Sequence, residues 1–523
     1  MIADHRLRLA RTRTQGTLLS WRNVASVSAR CPHTRHTHHK SPRLHTFVYR
    51  HLQSELKMIR TIRFTGFIGG AICGVCLAKV SAKADLDSAT VSPMESDKLT
   101  PTADSAIQIP QLKLKQVQVF FRHGARTPLH LTPGIEEVSY LQGTVLKDVP
   151  HTVFKYEVVI LPDMVPSQGH SSMEEHYQKL QLKGGGYAGN LTAYGQEMMY
   201  SFGKSLRTFY GDQLKFLPKE YNGKDIYVQS TNINRTVVSA RCVLAGMFGK
   251  QSLNKSGPVQ IRVLSSIDEI LYPNTRACSV LQKANHAVIF HFDRIPGIKE
   301  DLEFIEKILG YDSQATGHKL DFVSLRDDFV ARITHGYSIP ENIVPYMNMI
   351  DKNATKILYY AMCGQHEAER PVVTRLAVGP ALQSALDAMS RCIQGQETPK
   401  IYLYSTHDST MVALLESTGL FNWQWPPFAA DLRFELYEDD DKQHWVRVLY
   451  CGEEKAIRGC NKPLCKFEDF KQSLVPYTIQ KAEYKKLCSS PILEQIAASL
   501  LQHDQGEVET PEIKELSEIP AGM

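Results

Sequence analysis

Acidic residues are missing from the start of the chain: no Asp or Glu occurs between His5 and Ser54, although Arg recurs throughout. Residues 1–84, here called the leader, contain 15 Lys or Arg and 2 Asp or Glu, which leaves 45 basic and 53 acidic residues. The net charge of +5 over 523 residues therefore comes from the leader, and the remaining body is acidic at −8. Because nucleic-acid binding needs a basic face, we expect no nucleic-acid partner.

Other absences narrow the class of protein further. No pair of Cys-x-x-Cys motifs occurs, so a zinc ribbon is not indicated, and no internal repeat is visible. Eight of the 11 cysteines follow the leader, which is too few in over 400 residues to indicate the redox compartment. Cys460 and Cys465 are close enough in sequence to bridge a tight loop. A hydrophobic content of 43% excludes wholesale disorder.

The leader has the composition of a targeting segment. Its Arg-rich, acid-poor sequence is typical of a mitochondrial transit peptide, and we expect a mitochondrial protein. A second signal begins at Met58, where the uncharged stretch Phe64–Ala78 precedes the small residues Ala82 and Ala84. Translation from Met58 would instead give a secretory signal and a secretory or lysosomal route, and the first 57 residues could be untranslated sequence read through. Phe64–Ala78 is too short for a comfortable membrane span.

Three β-rich runs end in polar loops and alternate with helical patterns, which favours an α/β fold with a mainly parallel, helix-covered sheet. These runs are Val117–Phe121, Asp225–Gln229 and Lys400–Ser405. Loops at the carboxyl ends of parallel strands meet at one sheet edge, so we expect one site there. Residues 430–450 alternate like an antiparallel hairpin. The predicted domain division is a removed leader (1–84), a linker (85–111), one α/β domain (112–490) with an inserted cap from about 130–190 and 255–370, and a flexible tail (491–523).

The three loops would bring Arg122, Arg126 and Arg235 together. Burying like charges together without an anion is costly, whereas planar guanidinium groups suit the oxygens of a phosphate. Each motif alone has an ordinary interpretation, since most Arg-His pairs lie on surfaces and Asp408 could simply cap a helix. Their combination favours phosphoryl chemistry.

The remaining polar residues supply the groups that phosphoryl transfer needs. His123 lies between two arginines whose charge should keep it neutral and therefore nucleophilic in mildly acidic solution. Asp408 would protonate the leaving alcohol and then activate water, and His407 would donate a hydrogen bond to a phosphate oxygen. We expect Gly124 to let the backbone approach the phosphate.

These residues resemble a known family, the histidine acid phosphatases. The match rests on RHGARTP at 122–128, the His-Asp pair at 407–408, and further segments at 191–195, 230–235 and 426–437, and it covers roughly residues 112–490. The resemblance implies a phosphoglycerate-mutase-like α/β domain with a helical cap. It also implies a phosphomonoesterase that needs no metal or cofactor. Its nucleophile maps to His123, its proton donor to Asp408, and its phosphate-binding residues to Arg122, Arg126, Arg235 and His407.

Within the family, residues 183–192, 239–246 and 458–465 are most similar to the branch that hydrolyses lysophosphatidic acid. That similarity implies a lysophospholipid substrate cleaved to monoacylglycerol and phosphate through a phosphohistidine, in a monomer with peripheral contact to membrane lipid. Ala125 and Asn232 stand where many relatives carry Asp, which removes negative charge near the phosphate. The alternatives are a phosphatase of broader or phytase-like specificity, a phosphomutase, and a non-catalytic lipid-binding module.

Overall fold

The computed structural model describes residues 112–167 and 171–491. The predicted leader, the linker and, apart from Pro491, the tail lie outside these residues. The strands are β1 (Lys113–Arg122), β2 (Tyr156–Ile160), β3 (Val165–Pro166), β4 (Ile226–Ser230), β5 (Val259–Val263), β6 (Ile401–Thr406), β7 (Asp431–Glu438), β8 (His444–Tyr450), β9 (Glu453–Glu454) and β10 (Leu464–Lys466). The helices are α1 (Ser172–Tyr177), α2 (Ala193–Leu206), α3 (Asn234–Lys255), α4 (Ser279–Phe290), α5 (Ile298–Leu309), α6 (Ser313–Thr316), α7 (Phe322–Thr334), α8 (Met347–Cys363), α9 (Arg370–Ile393), α10 (Asp408–Thr418), α11 (Phe467–Leu474) and α12 (Lys481–Cys488).

The strands form one sheet in the order β10-β8-β7-β1-β6-β4-β5-β2-β3, with β9 paired to β8. Its centre is parallel: β1 and β4 flank β6, and β5 joins β4 to β2. The predicted hairpin is present as the antiparallel pair β7 and β8. The prediction of a mainly parallel α/β fold is confirmed. Three polar loops, those after β1, β4 and β6, therefore leave the sheet at one edge.

Two hydrophobic cores cover the two faces of the sheet, as a central strand such as β1 requires. Phe120 belongs to the core beneath α4–α12, whereas Val119 and Phe121 point to the other core. That second core contains Met199, which α2 packs against the sheet. Successive side chains of β1 thus pack against opposite helical layers. Both layers are therefore fixed relative to the strand that carries the first polar loop.

The cap differs from its predicted extent. Residues 156–166 and 259–263 lie inside the predicted cap segments, yet they form β2, β3 and β5 at one edge of the central sheet. The helical part of the cap starts at Ser279, and α8 packs against α4, α7 and α10. Through α8 this layer is in direct contact with α10, the helix that follows β6. No helix within 112–167 and 171–491 is long and apolar enough to cross a membrane.

The described residues contain two disulfides, one local and one between elements distant in sequence. Cys460 and Cys465 close a tight loop, the bridge that their sequence spacing allows. Cys278 at the start of α4 is bonded to Cys488 at the end of α12, with 4.4 Å between the Cα atoms. This second bridge joins residues 210 positions apart, so nothing in the sequence spacing indicates it.

Helices α2 and α3 approach closely because glycines line the contact. A Cβ atom on Gly203 would lie 2.1 Å from the carbonyl oxygen of Val243, and one on Gly246 would lie 2.1 Å from that of Tyr200. Such distances are far inside van der Waals contact, so the backbones touch where these glycines stand. Thr192 begins α2 by accepting a hydrogen bond from the N–H of Gly195 (3.1 Å).

We predict that Gly203→Ala destabilises the protein by about 2 kcal/mol, a typical cost of overpacking a close contact. Helix propensity alone would favour alanine by about 1 kcal/mol, so a net loss would show that the contact dominates. Urea unfolding measures the difference. Gly143→Ala is the control, because a Cβ there meets no atom within 4 Å. A Gly203→Ala protein as stable as the control would contradict the close helix contact.

Candidate active site

The loop after β1 places three of the predicted residues in a buried position. Arg122 and Arg126 are each 3% exposed and His123 is 1% exposed. The backbone N–H of Arg122 donates to the carbonyl of Ala430 (2.8 Å), and that of His123 donates to the carbonyl of Thr406 (3.1 Å). Neighbouring strands on both sides therefore hold the loop.

Gly124 also makes a close contact with helix α2. A Cβ atom on Gly124 would lie 2.3 Å from the carbonyl oxygen of Gly195, and a Cβ on Gly195 would lie 2.0 Å from that of Ala125. The two glycines let the loop pack directly on the first turn of α2. The structure thus adds a close approach of loop to helix, and the approach of the backbone to phosphate stays a prediction.

The second loop contributes Arg235 from the first turn of α3. Its side chain is 4% exposed and stacks on the ring of Tyr177 at 4.7 Å. One terminal nitrogen, Nη2, donates to the hydroxyl of Tyr177 and to Nδ1 of His407, both at 3.4 Å. This places the second loop in contact with the third.

The third loop brings His407 and Asp408 to the same place. The Asp408 carboxylate accepts a hydrogen bond from Arg122 (2.7 Å), and the rings of His407 and His123 have centroids 5.6 Å apart. Nε2 of His407 lies 3.0 Å from the hydroxyl of Thr231, which can donate or accept. All six residues predicted from the sequence thus lie in one cluster, in which five side chains are buried and that of Asp408 is 17% exposed.

The three arginines keep nitrogen atoms that bond to nothing in the described structure. Nε of Arg122, Nε of Arg126, and both Nε and Nη1 of Arg235 are buried without a hydrogen-bond partner. Buried donors left unsatisfied cost about 1–3 kcal/mol each, more when charged. A tetrahedral anion between these guanidinium groups would satisfy them. The cluster therefore fits a phosphate group.

Electrostatics in the cluster favour neutral imidazoles. Burial lowers the pKa of His123 well below its usual value, and the positive charges of Arg235 and Arg122 lower it further. Burial and Arg235 lower the pKa of His407 in the same way. The His123 Nδ1–H donates to the carbonyl of Gly124 (2.9 Å), since a carbonyl can only accept. Nε2 of His123 therefore carries the free lone pair.

Burial opposes ionisation of Asp408, but the charges of Arg122 and Arg126 outweigh it and hold the pKa well below the usual range for aspartate. Paired in this way with Arg122, the carboxyl is ionised. The pKa of Arg122 is itself lowered to about 10, chiefly by burial, so it remains charged at neutral pH.

Four further residues complete the site, and the sequence analysis assigns no role to any of them. Asp327 on α7 pairs with Arg126 at 2.8 Å, and Trp425 donates from Nε1 to Asp408 at 3.1 Å. Tyr177 and Thr231 contact Arg235 and His407, as described above. Asp327 and Tyr177 come from the predicted cap segments, where no motif marks them. Thr231 lies inside the 230–235 segment and Trp425 adjoins the 426–437 segment, and these two segments are the available signals.

Comparison with known families decides the classification. Residues 113–296 and 337–451 match the sequence profile of the histidine phosphatase superfamily, branch 2. The chain belongs to this family. The gap between the two matched segments, 297–336, contains α5, α6 and α7. All six residues of the cluster fall within the matched segments.

Named relatives support a phosphatase. The chain is 35% identical to human "Lysophosphatidic acid phosphatase type 6" over 383 residues, covering 72% of this chain and 86% of the relative. It is 34% identical to the bovine protein of that name, with the same coverage. Among solved structures, the apo form of Hafnia alvei phytase aligns with a TM-score of 0.47 at 14% identity, over 73% of this chain and 99% of the phytase.

Within the described part of the chain, no three His, Cys, Asp or Glu side chains are grouped so that they could hold a metal ion. The charged groups around His123 are the guanidinium groups and their two carboxylate partners, Asp327 and Asp408.

We predict that Arg235→Gln weakens inhibition by inorganic phosphate about 10-fold to 100-fold. A hydrogen bond to a charged group contributes about 1.5–3 kcal/mol, which converts to this range. The inhibition constant is measured with an aryl phosphate substrate. Arg262→Gln serves as control, because Arg262 stacks on Tyr227 and bonds to no residue of the cluster. An unchanged inhibition constant in Arg235→Gln would exclude Arg235 from the anion site.

Proposed function

We propose that the protein is a metal-independent phosphomonoesterase that hydrolyses lysophosphatidic acid to monoacylglycerol and phosphate, with a phosphohistidine intermediate on His123. The observation that carries the chemistry is the set of buried, unpartnered guanidinium nitrogens around that imidazole. In phosphoryl transfer a protein mainly positions groups and neutralises charge on the phosphoryl oxygens. Arg122, Arg126 and Arg235 can do both.

In the first half-reaction, Nε2 of His123 attacks phosphorus as the bond from phosphorus to the ester oxygen breaks. The lone pair of Nε2 becomes the N–P bond, and the leaving oxygen takes a proton from Asp408. The Gly124 carbonyl accepts from Nδ1–H throughout and stabilises the positive charge that develops on the ring. In the structure Nδ1 of His407 accepts from Arg235. When Arg235 turns to the phosphate, the neutral ring can carry its proton on Nδ1 and donate it to a phosphoryl oxygen, while Nε2 accepts from the Thr231 hydroxyl.

Asp408 needs a proton for this step, although Arg122 keeps it ionised before substrate binds. Bound phosphate attracts the same guanidinium groups, and its negative charge raises the pKa of the adjacent carboxyl. Phosphate monoesters have a second pKa near 6, so in mildly acidic solution part of the substrate arrives as a monoanion. That proton can pass to Asp408.

In the second half-reaction, the ionised Asp408 takes a proton from water, whose oxygen attacks phosphorus. The N–P bond breaks, its electron pair returns to Nε2, and phosphate leaves with His123 neutral again. One ester and one water are consumed, and one alcohol and one phosphate are released. Because the pKa of His123 is lowered, its nucleophilic form persists below the usual pKa of histidine.

Two observations support a lysophospholipid as substrate. The relatives with 34–35% identity bear the name lysophosphatidic acid phosphatase. Aromatic rings also border the site: Tyr177 lies against Arg235, Trp425 against Asp408, and Tyr272 with its ring centroid 6.2 Å from that of His407. Rings of this kind suit the apolar part of a lipid next to its phosphate.

We further propose a monomer located in mitochondria, with peripheral contact to membrane lipid. The acid-poor leader supports this location, and a start at Met58 would redirect the protein to the secretory route. Imaging full-length and Met58-start chains with a carboxyl-terminal fluorescent tag distinguishes the two.

We predict that the purified protein releases phosphate from lysophosphatidic acid faster than from phosphoglycerates or phytate. Free phosphate and monoacylglycerol are quantified side by side for the three substrates. Preference for phytate would support the alternative specificity, and isomerised phosphoglycerate without free phosphate would indicate a mutase. Binding of lysophosphatidic acid with no phosphate released would support the lipid-binding module instead.

We predict that His123→Ala abolishes turnover and that Asp408→Asn slows it by about 100-fold or more, the usual range for losing an acid–base group. With an aryl phosphate, whose leaving group needs little protonation, Asp408→Asn should accumulate a phosphoenzyme. Mass spectrometry of quenched protein measures it. A phosphoryl group found on a residue other than His123 would contradict the mechanism.

A further inference from the structure

We propose that Trp425 is a positioning residue for Asp408, held in place by Arg326 of the cap, and that it sets the pH range in which Asp408 works as an acid. This inference rests on the proposed function, since it assigns a partner to the group that protonates the leaving alcohol. Neither Trp425 nor Arg326 belongs to the motif residues identified in the sequence.

The Asp408 carboxyl has three donors around it. Arg122 and the indole Nε1 of Trp425 both donate to Oδ2, at 2.7 and 3.1 Å, and the backbone N–H of Ser409 donates to Oδ1 at 2.9 Å. Of the two side chains on Oδ2, Arg122 is one of the arginines whose free nitrogens suit a phosphate. Trp425 has no such second function, so its bond to Oδ2 is independent of the anion.

Trp425 is itself fixed by a chain of contacts from the cap. The guanidinium group of Arg326, on α7, lies over the indole ring at 4.2 Å. Arg326 is buried, and its Nε donates to Asp351 on α8 at 2.6 Å. A cation–π contact of this kind is worth about 0.5–2 kcal/mol, enough to favour one orientation of the ring. The cap therefore orients the indole N–H towards Oδ2.

The hydrogen bond from the indole N–H of Trp425 affects the protonation of Asp408. Its N–H is a donor that does not titrate, so it stabilises the ionised carboxyl more than the protonated one. The other charged or titratable groups that act on Asp408 are Arg122, Arg126, Arg326 and His407. Without the indole N–H, these groups remain, but the carboxylate loses one hydrogen bond.

The test is Trp425→Phe, which keeps an aromatic ring and removes the N–H. Losing a hydrogen bond to a charged group should raise the pKa of Asp408 by about one to two units. Because the acid form then persists to higher pH, the alkaline limb of kcat against pH moves upward by the same amount. Hydrolysis of the phosphoenzyme, which needs the carboxylate, slows on the acidic side.

Trp423→Phe is the matched control. Trp423 is 53% exposed, packs on Tyr359 and Phe421, and has no contact with Asp408, so its variant should keep the wild-type pH profile. Arg326→Lys provides a second variant: it keeps the charge but loses planar stacking, and should shift the same limb upward by a smaller amount. Thermal unfolding of each variant verifies that it is folded.

The profiles are measured with an aryl phosphate and with lysophosphatidic acid. A folded Trp425→Phe protein with the wild-type limb, or with a rate reduced equally at every pH, would overturn the role of Trp425. Wild-type protein that cleaves the aryl phosphate but not lysophosphatidic acid would overturn the proposed substrate alone, and the comparison of variants would still stand on the aryl phosphate.

Discussion

Positive charge concentrated around one buried imidazole is the constraint on which the site depends. Three guanidinium groups lie beside His123, and two of them have carboxylate partners: Asp408 for Arg122 and Asp327 for Arg126. Arg235 has a tyrosine hydroxyl and a histidine nitrogen instead. The cluster therefore carries excess positive charge in a medium of low dielectric, where an anion is held strongly and an imidazolium is disfavoured. The same buried positive charge therefore favours anion binding and keeps His123 neutral.

The residues of this cluster come from elements that are distant in sequence. Parallel strands β1, β4 and β6 lie side by side and end at one edge, so each delivers one part of the cluster. The cap supplies the counter-charge from α7, where Asp327 and the adjacent Arg326 reach Arg126 and Trp425. The reacting groups thus lie at the sheet edge, and contacts from the cap orient them and cover them.

The site residues at the sheet edge can be predicted from the sequence, whereas those contributed by the cap cannot. Arg122, His123, Arg126, Arg235, His407 and Asp408 each follow a recognisable strand, and parallel topology then forces them together. Asp327 and Trp425 follow no strand, and their partners are set by packing between helices rather than by spacing. The strands β2 and β5 fall within the segments predicted as cap because they lie among loop-like or helical sequence.

The packing around Gly124 and the ion pairs of the β7–β8 hairpin can be seen only in the structure. Gly124 is next to the anion site in sequence, which favours a role in binding, and only the structure shows that a Cβ atom there would lie 2.3 Å from the carbonyl oxygen of Gly195 in α2. Alternation along β7 and β8 predicted the hairpin, yet Arg433 and Glu435 are buried in ion pairs rather than exposed to solvent. Periodicity indicates which residues share a face and leaves open what covers that face.

The most direct test of the central claim is a crystal structure of the protein with orthovanadate, which adopts the geometry of a phosphoryl group in transfer. The account predicts vanadium bonded to Nε2 of His123, with vanadate oxygens accepting hydrogen bonds from Arg122, Arg126 and Arg235. Vanadate bound to another residue, or held without contact to Arg235, would contradict it.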